Sequence, residues 1–191
     1  QKARNYDPEP VTNDDIVVME TNRGTIKLKL FPDVAPRHCR NFKKLANSGF
    51  YDGTAFHRII PGLMIQGGDI NSRDNDPKND GQGGPGWKVD AEFNNISHKR
   101  GILSMARSRD KNSAGSQFFI CVADAPHLDG AYTAFGEVIE KVHVADHIVK
   151  TPTEYDQAKR LSKESIPNGE DPDNWITLRD PKTKKKLYSK V

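Results

Sequence analysis

Residues 56–69 combine side chains that bind peptide groups with side chains that form apolar pockets. Arg58 supplies a planar, permanently charged donor, and Gln66 supplies an amide further along the same segment. In a second segment Gln117 and Phe119 share one strand face, because alternate residues of a strand point the same way. Adjacent strands would then present groups for non-covalent binding of a polar chain beside an apolar group. On periodicity alone, a core sheet with an incidental surface arginine is the simpler interpretation.

Two other patterns resemble nucleotide-binding or hydrolase sites but lack the required context. Residues 81–86 satisfy the spelling G-x-G-x-x-G of dinucleotide-binding proteins, which requires a strand before it and a helix after it. Here an acidic loop precedes the glycines and Pro85-Gly86-Trp87 closes the segment, so we predict a glycine-rich surface loop. No serine stands in a nucleophile-elbow spelling, and a hydrolase triad therefore has no support.

Two clusters of potential metal ligands are better explained without a metal. The aspartates at positions 69, 74, 76 and 80 invite a calcium site, but they lack the alternating ligands and closing glutamate of a calcium loop. His143 and His147 share one turn of a predicted helix, yet no glutamate adjoins the first and no third ligand is evident. We predict a solvated acidic loop, surface histidines, no metal and no cofactor.

The composition, with 35% hydrophobic and 29% charged residues among 191, is typical of a soluble globular protein. A chain of this length buries enough surface to fold without metals or disulfides. The net charge of +3 is small for a dedicated nucleic-acid binder, and no apolar run approaches the length of a membrane span. Cys39 and Cys121 are predicted to be buried free thiols, with one long bridge as the alternative.

Hydrophobic periodicity predicts many short strands and two helices as the elements that position these groups. Residues 16–20 and 25–31 form a predicted hairpin, since apolar residues alternate with lysines in its second strand. One helix is predicted to begin at Pro36 and to end before Ser48, and the other carries an apolar stripe within residues 142–149. This pattern indicates an antiparallel sheet closed as a barrel or sandwich. The other predicted strands cover residues 55–60, 63–66, 89–93, 102–107, 117–122, 133–138 and 175–178.

The chain is predicted to form one domain with extensions. Residues 1–13, which are polar and contain two prolines, predict a flexible arm before a domain at 14–180. This domain carries loop insertions near 70–80 and 151–174, and residues 181–191 form a tail with five lysines and no acid, suited to a membrane surface or a partner. Because the sequence begins with Gln, we expect that an upstream segment has been removed and favour an exported or periplasmic location over the cytoplasm.

Several long motifs, in the same order along the chain, resemble the cyclophilins, the cyclosporin-binding family of peptidyl-prolyl cis-trans isomerases. The resemblance runs from about residue 16 to residue 149, and its spelling at residues 49–53 and 105–108 looks closer to the bacterial-type members. It implies an all-β dominated fold, an eight-stranded antiparallel cyclophilin-like barrel capped by two α-helices. The motifs that carry the resemblance are residues 56–69, 103–106, 112–120, 128–130 and 135–136.

By this resemblance Arg58 is the catalytic residue. Rotation about an X-Pro bond is slow because amide resonance imposes a barrier of about 18–20 kcal/mol. A guanidinium that donates to the prolyl nitrogen favours the twisted state, in which the nitrogen lone pair is localised, and needs no covalent intermediate, metal or redox cofactor. The resemblance also implies ten substrate-binding residues: Leu63, Met64, Gln66, Ala106, Arg107, Gln117, Phe119, His127, Leu128 and Tyr132.

Four of these positions depart from the best-known members of the family. Leu63 replaces Phe in the pocket wall, Arg107 replaces a common Asn whose family contact is chiefly through the backbone, and Tyr132 replaces a frequent His. His127 occupies the position of the Trp that is associated with tight cyclosporin binding. Because the indole area is lost, we predict weak cyclosporin binding with isomerase activity retained.

The resemblance implies proline-containing peptides and unfolded proteins as partners, and we expect a monomer that binds no nucleic acid and has no membrane span. The rival hypothesis, from a different class, is a non-catalytic proline-peptide-binding module on the same scaffold. The presence of Arg58, Gln66 and Phe119 favours the enzyme, because a pure binder has no evident need for an arginine aimed at the amide nitrogen.

Overall fold

A curled antiparallel sheet of eight strands, a half-barrel, forms the body of the protein in a computed structural model that describes residues 1–74, 76–151 and 189–190. The strand order is β3-β4-β6-β5-β7-β2-β1-β8, so β3 and β8 are the edges of the described sheet. The predicted β-dominated fold is confirmed. The strands are β1 Ile16–Thr21, β2 Gly24–Leu30, β3 Arg58–Ile60, β4 Met64–Gly67, β5 Ile102–Met105, β6 Phe118–Cys121, β7 Ala134–Glu140 and β8 Ser189–Lys190.

Two helices pack on the sheet, as predicted, and a third, four-residue helix lies near the N-terminus. Helix α1 covers Lys2–Asn5, α2 covers Pro36–Asn47 and α3 covers His143–Val149. Short 3-10 helices cover Ile70–Arg73, Pro77–Asn79 and Pro126–Leu128. The inner face of α2 buries side chains spaced three and four residues apart, which explains why this sequence is helical. Those side chains are His38, Cys39, Asn41, Phe42 and Leu45.

Aromatic side chains fill the space between α2 and the concave face of the sheet. The Phe42 ring lies 5.5 Å from both the Phe118 and the Phe135 rings, and Tyr51 meets Phe118 edge-on at 5.5 Å. All four side chains are fully buried. Edge-to-face pairs of this kind add to the stabilisation from burial, and this core holds the back of β6 in a fixed position.

Residues 89–93 do not form a strand, so the strand predicted there is wrong. Instead, the carboxylate of Glu92 binds the start of α2. The backbone makes one isolated bridge at Val89, whereas Glu92 turns towards the start of α2. Its carboxylate accepts hydrogen bonds from the backbone N–H of Arg37 (3.0 Å) and His38 (2.9 Å) and from His38 Nδ1 (2.6 Å). Burial alone would raise the pKa of Glu92, but these hydrogen bonds lower it.

The N-terminal residues lie along α2, whereas the sequence predicted a flexible arm over residues 1–13. Ala3 is buried in the main core, and Asp7 is hydrogen-bonded to Arg40 on the outer face of α2. A small apolar side chain and a charged pair thus hold this segment against the domain. The predicted insertion at 151–174, the predicted strand at 175–178 and most of the basic tail at 181–191 lie outside the described residues.

The loop after β4 is more ordered than the predicted solvated acidic loop. Asp69 is fully buried, and its carboxylate accepts hydrogen bonds from the backbone N–H of Asn71 (2.9 Å) and of Gly81. That part of the prediction is wrong, because a carboxylate can leave water when several N–H groups replace it. The loop that Asp69 holds carries the glycine-rich segment 81–86 towards the site described below.

The two cysteines are buried free thiols, as predicted. Burial raises the pKa of both Cys39 and Cys121 to about 12, so both stay protonated at neutral pH. Within the residues that the structure describes, no three His, Cys, Asp or Glu side chains gather as metal ligands would. In the same part of the chain, every helix is too short or too polar to cross a bilayer.

Candidate active site

Three neighbouring strands bring the predicted functional side chains together. Gly62, with φ of 74°, allows the tight turn that joins β3 to β4 and sets Arg58 opposite Gln66. Gln66 in turn lies opposite Phe119 on β6, and Phe119 lies opposite Ser104 on β5. The sheet register therefore places the guanidinium, the amide and the aromatic ring side by side, although their sequence positions are far apart.

A chain of side-chain hydrogen bonds runs from Arg58 to the glycine-rich loop. Arg58 Nη1 lies 3.5 Å from Gln66 Oε1, and Gln66 Nε2 donates to Gln117 Oε1 at 3.0 Å. Gln117 Nε2 donates to the backbone carbonyls of Gly81 (3.0 Å) and Gly83 (2.9 Å). These bonds fix both amides in orientation, while the exposed guanidinium of Arg58 keeps most of its donors for another molecule.

Beside this chain lies a pocket of about 260 Å³ with an aromatic floor. Phe119, which is 4% exposed, forms the floor and packs with Met64, which also lines the pocket. Ile60 also lines the pocket and was missed by the sequence analysis, although its place two residues from Arg58 on the same strand puts it on the same face. The full lining is Arg58, Ile60, Leu63, Met64, Gln66, Ala106, Arg107, Phe119, Leu128 and Tyr132.

Next to the floor, the buried His98 connects Phe119 to Ser104 on β5 and to Asp129, the neighbour of the lining residue Leu128. The His98 ring stacks on the Phe119 ring at 6.1 Å with an interplanar angle of 19°. Its Nδ1 lies 3.0 Å from Asp129 Oδ1, and its Nε2 lies 2.8 Å from Ser104 Oγ. Burial lowers the pKa of His98, which keeps the ring neutral at pH 7. Because Ser104 and His98 are buried, this arrangement is structural and offers no exposed nucleophile.

The lining of the pocket includes a second cation, Arg107, which packs on an aromatic ring. The guanidinium carbon of Arg107 lies 4.5 Å from the centre of the Tyr132 ring. Tyr132 in turn meets Phe119 edge-on, with ring centres 5.8 Å apart. The floor, the rim tyrosine and the cation therefore form one packed stack.

Two of the eleven predicted site residues lie outside this lining. Gln117 lines a neighbouring cavity of about 480 Å³, which is bounded by the glycine-rich loop at 81–86 and shares Gln66, Ala106 and Arg107 with the pocket. His127 is exposed and lies in the 3-10 helix Pro126–Leu128. Only its neighbour Leu128 reaches the pocket. The loop predicted from G-x-G-x-x-G is thus a surface loop, and it also forms one wall of the second cavity.

The geometry defines a half-barrel protein in which a small pocket with an aromatic floor lies beside a guanidinium and paired amides, groups suited to binding a peptide. Comparison with known proteins identifies it more closely. The sequence profile of the family described as cyclophilin type peptidyl-prolyl cis-trans isomerase/CLD matches residues 16–167, and the chain belongs to this family. The predicted isomerase function is confirmed, and the non-catalytic alternative is not favoured.

Individual relatives agree with this assignment. A peptidyl-prolyl cis-trans isomerase of Synechococcus elongatus is 49% identical over 120 residues, which cover 63% of this chain and 77% of that protein. Peptidyl-prolyl cis-trans isomerase CYP18-1 of Arabidopsis thaliana is 48% identical over 142 residues, 72% of this chain and 84% of that protein. A cyclophilin type isomerase of Cryptosporidium parvum, solved in the presence of the dipeptide Ala-Pro, is similar with a TM-score of 0.65 and 38% identity, covering 73% of this chain and 87% of that chain.

Proposed function

We propose that Arg58 is the catalytic residue and that it acts on an X-Pro bond whose proline ring packs on Phe119. The observation that carries this proposal is that one small pocket is lined by both side chains. A proline ring held on the floor places its ring nitrogen towards the mouth, where the guanidinium lies. Arginine stays protonated at every physiological pH, so the donor is always available.

The proposed chemistry is selective stabilisation of a twisted amide. In the planar ground state the nitrogen lone pair is delocalised into the carbonyl and accepts a hydrogen bond poorly. As the bond rotates, the lone pair localises on nitrogen and accepts one from Arg58. Each tenfold acceleration needs about 1.36 kcal/mol of stabilisation confined to the transition state. One charge-assisted hydrogen bond from a preorganised donor is strong enough to supply more than one tenfold acceleration.

The remaining residues divide between ring binding and backbone binding. Leu63, Met64, Phe119 and Leu128 would enclose the proline ring, and Tyr132 would close its rim. Gln66, Ala106 and Arg107 line both cavities and Gln117 lines the second, so these four residues would hold the peptide backbone. The substrates would be flexible or unfolded segments that contain proline, and the protein would act on them as a monomer.

The decisive test measures binding and acceleration on the same peptide. Exchange spectroscopy by NMR on a peptide that contains Ala-Pro gives the cis-trans rate with and without the protein, and a titration gives the dissociation constant. We expect catalytic amounts of protein to accelerate exchange and saturating amounts to shift the resonances of the proline. Binding without acceleration would overturn the catalytic proposal and favour the binding module.

We also propose that cyclosporin binds weakly, because His127 offers little apolar area and points to solvent outside the pocket lining. The variant His127→Trp is expected to tighten cyclosporin binding by at least about tenfold, since burying an indole against an apolar ligand contributes about 1.5–3 kcal/mol. Isothermal titration of both proteins checks this, with His147→Trp on the exposed face of α3 as the matched control. Equal affinities for wild type and His127→Trp would contradict the proposal.

A further inference from the structure

Positive charge is concentrated where the two cavities meet. The pocket over Phe119 is lined by Arg58 and Arg107, and the neighbouring cavity is lined by Arg107 and Lys88. Among the described residues, neither lining includes an aspartate or a glutamate. The first 151 residues taken together are balanced, with 20 Lys and Arg against 19 Asp and Glu. The site is therefore far more positive than the domain that carries it.

Arg107 stands at the junction and is held in one orientation. Its Nε and Nη2 donate to the carbonyl of Ala131 at 3.2 and 2.7 Å, and its Nη1 donates to the carbonyl of Ser108 at 2.9 Å. The face of the guanidinium rests on the Tyr132 ring. These bonds use three of the five guanidinium N–H groups, which leaves one on each terminal nitrogen. Because the side chain is already ordered, a ligand that uses those donors immobilises little more.

We propose that Arg107 makes this isomerase selective for prolyl peptides that carry a carboxylate near the proline, on the side of the peptide that enters the cavity beside the glycine-rich loop. The inference rests on the proposed function, in which the proline ring occupies the pocket over Phe119. A peptide placed there passes Arg107 on its way into the second cavity, because both cavities share that residue. A carboxylate matches the two free N–H groups, whereas a lysine would meet the like charges of Arg107 and Lys88.

The geometry of the site strengthens the preference. A cleft lined by charges of one sign, with a low-dielectric wall behind it, raises the local concentration of oppositely charged ligands. Phe119, Met64 and Leu128 supply such a wall beneath the cations. The guanidinium of Arg107 is partly buried, so its attraction is screened less than that of a free surface lysine. An ion pair between the peptide and a fully exposed side chain would give a smaller preference for the carboxylate.

A peptide series of otherwise identical X-Pro sequences tests the proposal. Glu, Gln or Lys is placed in turn two residues before the proline and one residue after it, and kcat/KM is measured by exchange NMR at low salt and at 0.5 M salt. On one of the two flanks we expect the Glu peptide to exceed the Lys peptide by about tenfold at low salt, and the ratio to shrink to about twofold at high salt. Equal rates on both flanks at low salt would overturn the proposal.

Variants of Arg107 then test whether this residue causes the preference for a carboxylate. Arg107→Gln is expected to bring the Glu-to-Lys ratio to near one, and Arg107→Lys to leave an intermediate ratio. Arg109→Gln is the matched control, because Arg109 is an exposed arginine two positions away and outside both linings, and it should keep the wild-type ratio. A ratio unchanged in Arg107→Gln overturns the proposal. This failure is distinct from loss of acceleration on every peptide, which would count against the proposed function itself.

Discussion

We expect Arg58→Ala to lower kcat/KM for X-Pro isomerisation by about 10²–10³-fold, the range that follows removal of one preorganised hydrogen-bond donor to a developing charge. The Arg58 side chain is exposed at the start of edge strand β3, and its Nη1 lies 3.5 Å from Gln66 Oε1. Its removal therefore takes little from the packing of the core. Thermal unfolding should change by less than about 2 °C, so the loss of rate reports on the reaction and not on the fold.

Two further variants separate the effect of the positive charge from that of the guanidinium geometry and control for the loss of an arginine. Arg58→Lys keeps the positive charge but loses the planar fork, and we expect a rate between those of wild type and Arg58→Ala. Arg109→Ala removes an exposed arginine outside the pocket and should leave the rate on a neutral peptide unchanged. Peptide affinity measured alongside should fall much less than the rate. Arg58→Ala activity within threefold of wild type would refute the catalytic role.

The second large effect concerns stability, because Glu92→Ala removes the carboxylate that closes the start of α2. Four N–H donors of Arg37 and His38 then lose their acceptor, in a place where the side chains of His38 and Glu92 are 1% and 7% exposed. Leaving a buried donor without an acceptor costs about 1–3 kcal/mol, so the loss of this shared acceptor should cost about 3–5 kcal/mol in all. For a chain of this size that corresponds to a fall of about 6–20 °C in Tm, measurable by circular dichroism.

Two variants control for this expectation. Glu92→Gln keeps a carbonyl oxygen as acceptor and should lose about half as much stability or less. Glu137→Ala removes a carboxylate from an exposed ion pair with Lys29, whose loss should cost less than about 1 kcal/mol. A Glu92→Ala protein with the Tm of the Glu137→Ala protein would show that the buried carboxylate does not hold α2.

Acid should weaken the same connection in two steps. Burial lowers the pKa of His38 from its usual 6.5, so the unfolded chain binds a proton there more readily and stability falls as the pH drops below about 6.5. The pKa of Glu92 is lowered from its usual 4.5, so the stability that its ionised form supplies is present above that pH and is lost as the pH falls further. The free energy of urea unfolding, measured from pH 8 to pH 3, should show the fall caused by protonation of Glu92 in the wild type. The Glu92→Gln variant should lack this fall.

Local sequence signals predicted the elements that depend on local chemistry. Helix α2 begins at Pro36 and ends before Ser48, as predicted, because proline fits the first turn and Gly49 adopts a positive φ after the end. The strand predicted at 89–93 is wrong, because its conformation is decided by the bond from Glu92 to a distant helix. A pattern of alternating residues carries no information about such a partner.

The same division applies to the site. Short motifs predicted Arg58, Gln66 and Phe119 as site residues, and the alternation of side chains along each strand predicted which face of the sheet carries them. His98 was missed, because its importance comes from stacking on Phe119 after β5 and β6 have paired, and a lone histidine gives no periodic signal. Contact of the N-terminal residues with α2 was missed for a related reason, since one buried alanine in a polar segment does not stand out.

The strand order has a consequence for how activity can arise during synthesis. One wall of the pocket comes from β3 and β4 and the floor comes from β6. The rim comes from residues that follow β5 and β6, so the glycine-rich loop lies between these two halves in sequence. The β4–β6 pairing alone joins the two halves at the floor. A nascent chain that ends within residues 81–86 therefore holds Arg58 without the ring of Phe119, and the complete pocket forms only after the second half has left the ribosome and paired.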